Sequence, residues 1–84
     1  MISGHDIFKL VDTFGLPLEI IVLELKDRKL AFNVAEFIES AHKAKWKKER
    51  VYNMILYSGV MKDNKEFENK LNMFIEYYYN RIDK

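Results

Sequence analysis

Apolar residues recur at the i, i+3, i+4, i+7 spacing of an α-helix through almost the whole chain, and nowhere do they alternate with polar ones in the period of two that a half-buried strand requires. That periodicity predicts an all-α fold: a compact single domain of about five short helices over residues 1–84. Ser3, with Asp6 three positions on, signals the cap of a first helix whose expected buried face is Ile7, Leu10, Val11 and Phe14, closed by Gly15. Pro17 presets φ for a second helix from about Pro17 to Arg28. Leu18, Ile21, Val22 and Leu25 make one stripe of that helix, and Leu16, Ile20 and Leu23 make a second, so it is either central to the domain or part of an interface.

Asn33 and Glu36 open a third helix with Val34, Phe37, Ile38 and Ala41 inward, expected to fray near Ala44 and Lys45. A fourth, from about Lys47 to Ser58, buries Val51, Met54, Ile55 and Ser58 and ends at Gly59. Asp63 with Glu66 starts the longest helix, on which Phe67, Leu71, Phe74, Ile75, Tyr78 and Ile82 recur at helical spacing. The expected core is Leu10, Val11, Phe14, Ile21, Leu25, Phe37, Ile38, Val51, Ile55, Phe67, Leu71, Phe74 and Ile75.

Several function classes fall away on chemical grounds. Without Cys there is neither a disulfide framework nor a thiolate metal site, and a reducing cytoplasm is the expected compartment. The first residues lack the basic-then-apolar pattern of a secretory signal, and the longest apolar run, Ile20 to Leu23, is far below the roughly 20 residues that span a bilayer, so no membrane insertion is expected. His5 and His42 have no second ligand one helical turn away, and Asp6, Asp12, Glu19, Glu24, Glu36 and Glu39 are spread along helices where caps and solvated faces explain them. No Gly-rich loop follows a strand. The chain is therefore expected to be a non-enzyme with no cofactor and no metal, acting by binding.

Two surfaces are candidates. The first is apolar and aromatic: Ile20 and Leu23 on the second helix, with Tyr57, Met61, Met73, Tyr77 and Tyr79, would take a protein partner or a second copy of the chain. The second is electrostatic. The net charge of +1 hides a sum of −3 over residues 1–41 and +4 over residues 42–50, HKAKWKKER. Spanning that basic stretch, Ala41, Trp46, Val51 and Met54 have the small and apolar spacing of a helix-turn-helix, which would bring Lys43, Lys45, Lys47, Lys48, Arg50, Tyr52 and Asn53 to DNA or structured RNA. Lys45 stands where the turn usually has Gly. Protein binding is the first expectation and nucleic-acid binding the second, because the overall basic excess is small and Glu36, Glu39 and Glu49 lie close by in sequence.

Residues 8–37, FKLVDTFGLPLEIIVLELKDRKLAFNVAEF, resemble a helical segment of alanyl-tRNA synthetases with a pattern close to F-x-L-x-D-T-[YF]-G-x-P-[LI]-[DE]. Phe8, Leu10, Asp12, Thr13, Phe14, Gly15, Pro17, Leu18 and Glu19 carry the match, and Leu30, Asn33 and Phe37 keep the later spacing, while Lys29 stands where the family usually has Gly. In the synthetases this segment follows the catalytic domain and helps place the tRNA acceptor stem. The resemblance implies a helical corner, with Gly15 ending one helix, Pro17 starting the next, and Asp12 and Thr13 able to tie the bend by hydrogen bonds. It implies no aminoacylation, since no class II synthetase motif is present. Similar segments occur in small stand-alone phage accessory proteins, and the wealth of Lys, Asn, Ile, Phe and Tyr fits an AT-rich phage genome. A regulatory role in host takeover or lysis control is the corresponding expectation.

Overall fold

The computed structural model describes residues 1–60 and 65–80, the side chains of Lys65, Phe67 and Glu68 excepted. Five helices make up these residues: α1 Gly4–Asp12, α2 Leu18–Asp27, α3 Val34–Lys43, α4 Lys48–Tyr57 and α5 Lys65–Asn80. Asp63, Ile82 and Met61 lie outside the described residues, as does the side chain of Phe67.

The centre is α3, which packs against α1, α4 and α5. Its four inward residues Val34, Phe37, Ile38 and Ala41 are all buried, the last three completely. Phe8 sets its ring edge-on to both Phe37 and Trp46, with centroids 5.4 and 4.9 Å away, and Phe32 joins Phe37 from the other side. Such pairs add about 0.5–1.5 kcal/mol each beyond the area they bury. Leu71 and Ile75 of α5 and Val51 and Ile55 of α4 close the core.

The starts of α1 and α3 approach each other closely at Gly4. A Cβ on Gly4 would collide with the Asn33 carbonyl and the Phe37 amide, so only glycine lets the two helix starts approach this closely. Ser3 Oγ accepts from the His5 N–H at 3.2 Å, and Asn33 Oδ1 accepts from the Glu36 N–H at 3.2 Å, so both sequence-assigned caps form. The Glu36 carboxylate does not fold back on its own cap but accepts from the Gly4 N–H at 2.9 Å, tying α1 to α3. A parallel β-bridge between Ile2 and Phe32 completes the seam.

Three expectations are corrected. Phe14 is 64% exposed, because α1 stops at Asp12 and its inward face is Gly4, Ile7 and Phe8, with Leu10 and Val11 only half-buried. Phe74 is likewise half-buried at the edge of α5. The corner after α1 is held by the backbone, Leu16 N–H to the Leu10 carbonyl at 3.1 Å with Gly15 at φ +69°, and not by the side chains of Asp12 or Thr13.

Nor does α3 fray. Trp46 N–H donates to the Ala41 carbonyl and Lys45 N–H to the His42 carbonyl, both at 3.0 Å, the paired closure of a Schellman motif with Lys45 left-handed at φ 65°. The end of α2 repeats the motif: Leu30 N–H to the Leu25 carbonyl at 2.7 Å, Lys29 N–H to the Lys26 carbonyl at 3.0 Å, and Lys29 at φ 57°. Lys29 and Lys45 are therefore the two positions where the sequence has lysine and the backbone favours glycine.

Candidate functional site

On α2, successive residues turn by about 100°, which places Ile20 and Leu23 diametrically opposite the stripe of Leu18, Ile21, Val22 and Leu25. The stripe is buried against the domain, where α2 packs on α4, while Ile20 and Leu23 are 55% and 65% exposed. Phe14 and Leu16, in the connector leading into α2, add further exposed apolar surface. The rim of this face is acidic. Glu24 is neutralised by Arg28 at 2.7 Å and Lys26 is drawn away to the Gly59 carbonyl, whereas Glu19 and Asp27 have no ionic partner among the described residues.

Tyr57, which is largely exposed, borders a separate groove of about 490 Å³ between the start of α2 and the outer edge of α4. Met73 and Tyr77 lie exposed on α5, where they line an apolar groove of about 320 Å³ with Ala35, Phe74 and Tyr78. Tyr79 points elsewhere: its hydroxyl donates to the Trp46 carbonyl at 2.7 Å and its ring meets His42 edge-on at 4.7 Å. The fold therefore parts Tyr77 from Tyr79 and divides the aromatic and Met candidates among separate surfaces. Burial raises the Tyr79 phenol above its ordinary value near 10; burial, and then the carboxylate of Glu39, does the same for Tyr78.

The basic residues converge on the turn between α3 and α4. Trp46 is buried and acts as the floor, held by the Schellman closure, by Phe8 and by Tyr79. Around it Lys43, Lys45, Lys47 and Lys48 line a groove of about 610 Å³, with Glu49 as the one acid in the lining. Lys43 pairs with Glu39 at 3.5 Å, and Lys48 with Glu76 at 2.9 Å, which holds the Glu76 carboxyl below its ordinary value. Lys45 and Lys47 have no ionic partner among the described residues.

Along α4 itself the outward face is Glu49, Arg50, Asn53 and Tyr57. Arg50 lies over the Trp46 ring, 3.7 Å from its centroid. Tyr52 is half-buried and shares a smaller groove with Lys48, Glu49, Asn53 and Asn72. A helix laid into a DNA groove by this face would bring one cation and one acid to the bases.

Phe8 and Phe32 are core residues outside the expected set; Phe8 falls one position off the apolar stripe assigned to α1, and Phe32 precedes α3 in a segment without helical periodicity. No protein-family model, curated protein or solved structure matches the chain.

Proposed function

We propose that this domain is a non-catalytic protein-binding module, and that its partner docks on the outer face of α2. One observation carries the reading: Ile20 and Leu23 stand exposed on the side of α2 opposite its buried stripe, on a helix that already gives four side chains to the core. A solvated helix of this size ordinarily carries charge there. The partner is a helix with an apolar ridge and a basic rim, because the unpaired charges beside Ile20 and Leu23 are those of Glu19 and Asp27. A second copy suits the face less well, since it would bring the same acidic residues, Glu19 and Asp27, to the interface from both sides. The composition and the synthetase-like segment support a small phage-type accessory or regulatory role, in host takeover or lysis control.

The test is an NMR titration of the labelled domain with a synthetic amphipathic helix whose leucine ridge is flanked by lysines. Amide shifts centred on Ile20 and Leu23, abolished by Leu23→Glu, are the expected result. Shifts confined to other helices would contradict the assignment, and a dimer in sedimentation at micromolar concentration that Leu23→Glu disperses would make the partner a second copy.

A further inference from the structure

We infer that the groove at the α3–α4 turn is a second binding site, one that takes the phosphate backbone of a nucleic acid without reading its sequence. Four lysines line it against one glutamate, over a floor fixed by Trp46 and Tyr79. Lys45 and Lys47 have no intramolecular ion pair among the described residues, and the partners of Lys43 and Lys48 are exposed carboxylates, Glu39 and Glu76, whose pairing is weak enough to exchange for phosphate. Two of these side chains are therefore exposed and unpaired among the described residues, and two more are recoverable.

Lysine ammonium groups are undirected point charges that bind phosphates and carboxylates alike. Four of them around one groove suit the closely and regularly spaced charges of a nucleic-acid backbone, and competition with polyglutamate separates that occupant from an acidic protein. Arg50 is stacked on Trp46. Beside it on the outward face of α4, Glu49 repels phosphate, so contact falls to the lysines at the turn rather than to a helix laid in a groove. Phosphate contact by these lysines gives binding that depends on salt and not on sequence.

The experiment is fluorescence anisotropy with a labelled 20-base-pair DNA duplex and a second duplex of scrambled sequence, at about 50 and 200 mM salt. With three or four phosphates neutralised, affinity is expected to fall by about 40- to 150-fold between those salt concentrations, and the two duplexes to agree within about twofold. Lys45→Glu with Lys47→Glu is expected to weaken binding by more than about tenfold at the lower salt, and the neutral pair Lys45→Gln with Lys47→Gln by about tenfold. Lys9→Glu with Lys29→Glu is the control, of equal charge change and with Lys29 in the same left-handed conformation as Lys45; it is expected to change affinity less than about threefold. Circular dichroism melts confirm which variants are folded, and the glutamine pair carries the test should the glutamate pair unfold. No binding at the lower salt, equal losses in the groove and control variants, or displacement of the duplex by polyglutamate at matched charge would overturn the inference.

Discussion

Helices α2 and α3 have the same length, and each turns four apolar side chains inward, yet they do different things with the rest of their surface. Around α3 three other helices pack, so that Ala35, Glu36, Glu39 and Ser40 are half-covered and little of it faces open solvent. By contrast α2 packs on α4 at the edge of the domain and presents Ile20 and Leu23 outward. Hydrophobic pattern on α3 is consumed by folding; on α2 it exceeds what folding uses. That surplus is the ground of the proposed docking face.

The sharpest way to break the contrast is to truncate one residue from each helix. Phe37→Ala removes a fully buried ring that touches Phe8 and Phe32, and should cost about 3–5 kcal/mol, close to the whole stability of a domain this small. Leu23→Ala should stay within about 0.5 kcal/mol in the same urea titration. Next in size is Gly4→Ala, which forces the α1 and α3 backbones apart and is expected to cost about 1–3 kcal/mol, because neither the Asn33 carbonyl nor the Phe37 amide can rotate away as a side chain would.

The two left-handed lysines sharpen the comparison from the other direction. Lys29→Gly at the end of α2 and Lys45→Gly at the end of α3 should each stabilise the domain by about 0.5–1 kcal/mol, measured by thermal melts, since relief of the left-handed backbone outweighs the added freedom of glycine in the unfolded chain. Smaller still is the alkaline response of α5 where it meets α3. The folded state holds the phenol protons of Tyr78 and Tyr79 above the ordinary value near 10, while the unfolded chain releases them there. Stability should thus be unaffected by these groups below pH 10 and fall as pH rises from 10 through their raised folded values, and Tyr78→Phe should blunt that fall.

These effects also explain what could be read before the structure. The five helices, the caps at Ser3 and Asn33 and the buried stripes of α2 and α3 were legible because period, cap chemistry and burial agree locally. Phe14 was misplaced because the apolar spacing runs on for one residue after the helix has ended, and Gly4 was missed because its role depends on a neighbour some thirty residues away. The second stripe of α2 was visible as a pattern, but its exposure depends on α3 taking the centre, which is decided by tertiary packing. The lysines at the α3–α4 turn were visible as charge; their gathering around one groove follows from the Schellman closure that Lys45 adopts without being glycine.

The central claim is that the outer face of α2 is dispensable for folding and required for docking. The direct measurement is the double variant Ile20→Ser with Leu23→Ser, followed by thermal unfolding and by titration with the lysine-flanked amphipathic helix. A melting temperature within about 4 °C of the parent, which corresponds to about 0.5–1 kcal/mol on a domain of this size, together with loss of peptide binding, is the expected result. A fall of more than about 10 °C would mean that these side chains hold the domain together, and undiminished peptide binding would mean that the partner docks elsewhere.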